Sequence, residues 1–140
     1  MAEIKTKPGE YNVEDYLEQL DAKRLDEAEV LIDMMHDITG FEPMMWGSSI
    51  IGFHPFHYKS KSGSEGDWPR IGFSPRKGKI SLYVTFNAEE YLPEVELLGG
   101  KTSVGKGCIY LSKFDQVDLT KLRQLVKRGY DDSFKAYPAE

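Results

Sequence analysis

Cysteine and long apolar runs are scarce in this chain, and each scarcity excludes a class of protein. Cys108 is the single cysteine, so no internal disulfide can form, which suits a reducing compartment. No apolar run approaches the roughly 20 residues that a membrane-spanning helix needs. Residues 1–10 are polar and lack the apolar core of a signal peptide. We therefore expect a cytoplasmic protein without a membrane partner.

Basic residues are in the minority, and the charges are unevenly distributed. The net charge is −5, and residues 1–42 contain 12 acidic but only 4 basic side chains. Residues 43–140 contain 11 acidic and 14 basic side chains. A nucleic-acid-binding surface would have to outweigh the acidic part, so this pattern argues against nucleic acid as a partner. The acidic part is better suited to cations or to a basic partner.

The length and the apolar content indicate one globular domain over residues 1–140, with residues 1–10 as a flexible N-terminal segment. Asn12 is placed to cap a short first helix. A longer helix is predicted over Ala22–Thr39, because its apolar residues recur every three or four positions, and Gly40 should end it. A short helix is expected at 88–98, and Asp118 should cap a final helix.

Strand patterns begin after Gly40. We expect strands at 44–46, 49–53, 56–59, 70–74, 79–86 and 107–113, with a polar loop at 60–67. In the strand at 79–86, Ile80 and Leu82 alternate with Ser81 and Tyr83, which is typical of a sheet with one buried face. The predicted fold is therefore α+β, a two-layer domain with a mostly antiparallel sheet and the N-terminal and C-terminal helices packed on one face.

Several stretches of the sequence together are similar to one known family. They are Met45-Trp46-Gly47-Ser48-Ser49-Ile50-Ile51-Gly52-Phe53, His57-Tyr58-Lys59, Glu65-Gly66-Asp67-Trp68-Pro69, Gly72-Phe73-Ser74-Pro75-Arg76-Lys77 and Gly105-Lys106-Gly107-Cys108-Ile109-Tyr110-Leu111. The chain resembles the YdhG-like domain-of-unknown-function family over residues 11 to about 134. Some members of the wider family are described as frataxin-like. The resemblance therefore implies an α/β sandwich and a non-catalytic iron chaperone, and it supplies no catalytic motif.

One row of acidic residues on the long helix offers a candidate metal site. Carboxylates spaced by three and four residues lie on one helix face, and oxygen ligands suit a weakly held iron ion. The candidate ligands are Asp26, Glu29, Asp33, His36 and Asp37. The alternative is a solvated helix face that keeps the protein soluble, which is the usual role of a row of charges on a helix.

The segment from His57 to Lys77 offers a candidate site for a small anionic ligand. Its glycines permit close backbone approach, Trp68 offers a flat apolar wall, and Arg76 offers a planar fork for a carboxylate or phosphate. The candidate ligand-binding residues are Trp46, His57, Lys59, Asp67, Trp68, Arg76 and Lys77. The structural alternative is that Asp67 and Glu65 form ion pairs with Arg76 and Lys77 that hold a long hairpin.

Strand alternation predicts a further surface. If Leu82 and Leu111 face the helices, then Tyr83, Tyr110 and Cys108 lie on the other face, together with Trp46. Such a face would suit a protein partner, a ligand or self-association, unless another segment covers it. We expect a non-enzymatic protein, with iron binding and delivery as the first hypothesis and a binding module for a small anionic metabolite as the alternative.

Overall fold

The structure is a computed structural model, and it describes most of the chain after residue 11. The described ranges are 12–47, 49–59, 63, 65–76, 78–84, 88–105 and 108–137, without the side chains of residues 58, 59, 88 and 136. The flexible segment expected at residues 1–10 lies outside these ranges, and so does the candidate ligand-binding residue Lys77. The side chain of Lys59, another candidate, is likewise outside the description.

Within the described ranges, six strands form one antiparallel sheet that four α-helices accompany. The helices are α1 (Val13–Glu18), α2 (Ala22–Thr39), α3 (Leu92–Glu96) and α4 (Leu119–Ala136), with a 3₁₀ turn at Ala88–Tyr91. The strands are β1 (Met44–Trp46), β2 (Ile50–Lys59), β3 (Glu65–Arg76), β4 (Lys79–Tyr83), β5 (Gly99–Val104) and β6 (Ile109–Val117). Their order across the sheet is β1-β2-β3-β4-β6-β5. The predicted α+β two-layer fold is confirmed.

The helix ends follow the predicted capping residues. The Asn12 side chain accepts hydrogen bonds from the backbone N–H groups of Glu14 and Asp15, at 2.8 and 3.2 Å. Gly40 ends α2 in the left-handed conformation, with φ of 74°, which a residue without Cβ adopts at little cost. Asp118 caps α4 as expected. None of the helices in the described part of the chain combines the length and the apolar character that crossing a bilayer requires.

The core lies between α2, α4 and one face of the sheet, which we call the inner face. One row of register partners crosses five strands on this face, and each member is at most 1% exposed. The row consists of Met45, Ile51, Phe73, Leu82 and Ile109. Leu111 is also fully buried, whereas Tyr83 and Tyr110 are only half-buried. The predicted orientation of these strands is confirmed.

The strands differ from the prediction in length and number. The pieces expected at 49–53 and 56–59 form one strand, β2, because Pro55 lies opposite Pro69 at a point where neither residue has an N–H to donate. Part of the loop expected at 60–67 belongs to β3, which starts at Glu65. Strand β5 was not predicted at all, since Gly99 and Gly100 have the composition of a loop.

Arg70 joins the sheet to the end of α4 in a way that the sequence did not indicate. Its Nη1 donates to the backbone oxygen of Ser133 at 3.0 Å and to the Ser133 hydroxyl at 3.1 Å. The guanidinium lies 4.0 Å from the ring centroid of Phe134. The carbonyl groups at the C-terminal end of a helix favour a cation, so Arg70 stabilises the last turn of α4 although it is almost fully buried.

Gly129 of α4 sets how closely this helix approaches the sheet. A Cβ atom at this position would lie 1.7 Å from the carbonyl oxygen of Val84, at the end of β4. Exchange of a helical glycine for alanine normally stabilises a helix by up to about 1 kcal/mol. Here we expect Gly129→Ala to lower the free energy of unfolding by roughly 1–3 kcal/mol, because α4 must move away from the strand.

Urea denaturation of Gly129→Ala and of Gln124→Ala tests this expectation. Gln124 lies on the exposed side of the same helix, so its exchange should change stability by less than about 0.5 kcal/mol. A Gly129→Ala variant as stable as the wild type would show that the contact with Val84 is not close.

Candidate functional site

Aromatic side chains occupy the side of the sheet opposite the inner face. The ring centroids of Trp46 and Trp68 are 6.2 Å apart, and those of Trp68 and Tyr83 are 6.4 Å apart with the planes at 90°. The second pair is edge-to-face, an arrangement that is favourable for aromatic rings. We call the surface formed by Trp46, Trp68, Tyr83, Tyr110 and Arg76 the aromatic face.

A glycine allows the first of these rings to pack against the strand. A Cβ atom at Gly52 would lie 2.5 Å from Cβ of Pro69 and 2.7 Å from Cδ1 of Trp46. The absence of a side chain therefore leaves the space that the indole of Trp46 fills, and Trp46 is 0% exposed. Trp46 is buried here without belonging to the main hydrophobic cluster on the inner face.

Arg76 provides the positive charge of the aromatic face. Its Nη2 donates a hydrogen bond of 3.4 Å to the hydroxyl of Tyr83, and this bond raises the pKa of Arg76. Tyr83 thus contacts both Trp68 and Arg76, and it connects the apolar and charged parts of the surface. Among the described residues Arg76 forms no ion pair, and its side chain is exposed. It is therefore available to an anionic ligand.

Beneath the aromatic face, two polar atoms have no hydrogen-bond partner among the described residues. They are the indole nitrogen Nε1 of Trp46 and the hydroxyl of Ser74, and both residues are 0% exposed. The hydroxyl of Tyr16, from α1, is close to Ser74 without meeting hydrogen-bond geometry, and burial raises the pKa of Tyr16. A buried polar group without a partner typically costs about 1–3 kcal/mol.

Cys108 and Tyr110 form a polar pair at the edge of the aromatic face. The Cys108 thiol donates to the hydroxyl of Tyr110 over 2.9 Å, and this contact raises the pKa of Tyr110. The ammonium group of Lys79 lies 4.1 Å from the centroid of the Tyr110 ring, a cation–π distance. A second cation therefore lies beside Arg76.

His57 and Asp67 belong to a separate polar cluster. Nδ1 of His57 lies 3.0 Å from Oδ1 of Asp67, and Nε2 lies 3.3 Å from Oε1 of Glu65. The expectation that these two carboxylates pair with Arg76 was wrong. Asp67 is the register partner of His57, whereas Arg76 is nine positions away along β3, roughly 30 Å in an extended strand. Of the predicted ligand-binding residues, Trp46 and Trp68 contact each other, and Tyr83 connects Trp68 to Arg76.

The acidic row on α2 is exposed and partly paired. The carboxylate of Asp37 forms an ion pair with Arg123 of α4, and Nε2 of His36 lies 3.2 Å from Oε2 of Glu42. The row consists of Asp26, Glu29, Asp33, His36 and Asp37, all of them exposed. No three of the His, Cys, Asp and Glu side chains in the described ranges are grouped so that they could hold a metal ion. The predicted iron site therefore has no assembled ligand set there.

A cleft of about 570 Å³ lies elsewhere, between the start of α2 and strand β6. Its lining includes Asp21, Lys23, Arg24, Glu27 and Lys113. Most of these groups have structural roles, because Arg24 pairs with Glu27 at 2.6 Å and Asp21 caps α2. The charges of the cleft largely compensate one another, unlike those of the aromatic face.

Sequence reasoning missed Tyr16, Ser74 and Lys79, which lie next to the aromatic face. Lys79 could have been found, because it is the register partner of Arg76 in a tight hairpin. Tyr16 could not, since the packing of α1 beside β3 is a contact between distant segments.

Comparison of the chain with protein-family models, with curated proteins and with solved structures gives no match. The resemblance to the YdhG-like family therefore stays a prediction, and so does the iron-related role that it implies.

The environments of His54 and His57 predict opposite shifts of their pKa values. The hydrogen bond to Asp67 raises the pKa of His57 above its ordinary value of 6.5. Burial lowers the pKa of His54 below 6.5, and the charge of Arg70 lowers it further. The contribution of His57 to the stability of the folded state should therefore be fully present below pH 6.5 and should be lost as the pH rises through its folded pKa. His54 should oppose folding over the same acidic range.

An NMR titration of the imidazole resonances measures both values. Asp67→Asn should lower the pKa of His57 and leave the pKa of His54 unchanged. Glu65→Gln should lower the pKa of His57 by a smaller amount. A His57 pKa at or below 6.5 in the wild type would contradict the geometry of this cluster.

Proposed function

We propose that this protein is a non-catalytic binding domain that holds a small anionic ligand on its aromatic face. The observation that supports this most directly is Arg76, an exposed guanidinium without an ion-pair partner among the described residues. A planar guanidinium binds carboxylates and phosphates through two parallel hydrogen bonds. Arg76 is held toward the aromatic rings by its bond to Tyr83, so a ligand bound there also meets an apolar wall.

The composition of the aromatic face supports a bound ligand rather than a purely structural role. It combines half-buried rings, which contribute apolar contact area, with hydroxyl, indole and guanidinium groups that donate hydrogen bonds. The unpartnered Trp46 Nε1 and Ser74 hydroxyl lie beneath the same surface. Binding sites often retain such unfavourable features, because they are suited to the ligand rather than to the stability of the free protein.

A titration followed by intrinsic fluorescence tests the proposal. Both tryptophans of the chain belong to the aromatic face, so their emission reports on this surface alone. We expect benzoate and phenyl phosphate to change the emission saturably, in the presence or absence of EDTA. Arg76→Ala should weaken both affinities by about 10- to 100-fold, as expected for the loss of a charged hydrogen-bond donor.

Arg123→Ala is the matched control. Arg123 is another exposed arginine, but it pairs with Asp37 and should leave the affinity for either compound unchanged. The proposal fails if neither compound produces a saturable change, or if Arg76→Ala binds as tightly as the wild type.

A further inference from the structure

Two cations face each other at the end of the aromatic face. Arg76 and Lys79 are register partners across the β3–β4 hairpin, and Gly78 in the turn between them has φ of 85°. Both side chains are exposed, and neither forms an ion pair with a described carboxylate. Like charges placed directly opposite each other across two strands are destabilising. A ligand with two negative charges would remove this repulsion, whereas one negative charge would neutralise only half of the pair.

Phenolic hydroxyls surround the two cations. Arg76 donates a hydrogen bond to the hydroxyl of Tyr83, and the ammonium group of Lys79 lies 4.1 Å from the centroid of the Tyr110 ring. A tyrosine hydroxyl can donate to an oxyanion as well as accept. The tetrahedral oxygens of a phosphate group can accept several bonds at once, and this capacity matches a pair of cations flanked by hydroxyls better than the two oxygens of a carboxylate do.

The aromatic rings beside the two cations indicate which chemical group a bound phosphate would carry. Trp68 and Tyr83 are half-buried and perpendicular, with centroids 6.4 Å apart, so a flat ring could stack on one and meet the edge of the other. Because Tyr83 also accepts from Arg76, the ring-binding and phosphate-binding parts are adjacent. We infer that the ligand is a phosphate monoester of a flat aromatic ring, with its phosphate at Arg76 and Lys79 and its ring against Trp68 and Tyr83. This inference rests on the proposed function.

Three small compounds separate the contributions of charge and ring. Phenyl phosphate has both features, phenyl sulfate has the same shape with a single negative charge, and cyclohexyl phosphate has the phosphate without the flat ring. At neutral pH a phosphate monoester has a charge of about −1.5 to −2. We expect phenyl phosphate to bind about tenfold more tightly than either of the other two, measured by tryptophan fluorescence and by calorimetry.

The Lys79→Ala variant tests whether Lys79 binds the second negative charge of the ligand. It should weaken phenyl phosphate binding by about tenfold and leave phenyl sulfate within about twofold of the wild type. Lys127→Ala is the control, because Lys127 is an exposed lysine of α4 that pairs with Asp131 at 2.7 Å. It should leave both affinities unchanged.

Other results would contradict either the inference of an aromatic phosphate monoester or the proposed function itself. Equal affinities for phenyl phosphate and phenyl sulfate, or an equal loss of both in Lys79→Ala, would overturn the inference of a dianion and leave the proposed function standing. Equal affinities for phenyl phosphate and cyclohexyl phosphate would contradict the inference that the ligand contains a flat aromatic ring. If none of the three compounds binds the wild type, the proposed function fails as well.

Discussion

The structure depends on the burial of one face of an antiparallel sheet against α2 and α4. The row Met45, Ile51, Phe73, Leu82 and Ile109 crosses five strands in register, and each side chain is removed from water. Because side chains alternate between the two faces of a strand, a shift of one residue would exchange the faces completely. The same register that builds the core therefore places Tyr83 and Tyr110 on the opposite side.

The aromatic face has features that do not serve stability. The core has apolar side chains in close contact, whereas the aromatic face has two cations opposite each other, and a buried indole nitrogen and a buried hydroxyl without partners among the described residues. Several other cations in the described ranges are paired with carboxylates, as Arg24 is with Glu27 and Arg123 with Asp37, whereas the buried Arg70 is held by Ser133 at the end of α4. Two unpaired cations that lie opposite each other beside half-buried aromatic rings are the reason to assign binding to this face.

Local sequence patterns predicted the parts of the fold that depend on local interactions. The bounds of α2 follow from its apolar spacing and from Gly40, and the faces of β4 follow from strict alternation. Strand β5 could not be predicted, because its glycines are stabilised by pairing with β6 rather than by their own preference. The partner of Asp67 was also beyond local reasoning, since it depends on the register between β2 and β3. The candidate site was predicted in part: Trp46, Trp68 and Arg76 were found, but Lys79, Tyr16 and Ser74 required the register and the packing of α1.

The most direct measurement of the central claim is a two-dimensional NMR titration of the indole N–H resonances, assigned with Trp46→Phe and Trp68→Phe. Phenyl phosphate should shift the Trp68 resonance saturably, together with backbone amides of β3 and β4 near Arg76 and Lys79. The amides of the exposed side of α2 should not respond. Saturable shifts confined to α2 or to the cleft beside Lys113, with both indole resonances unchanged, would show that the ligand site is not on the aromatic face.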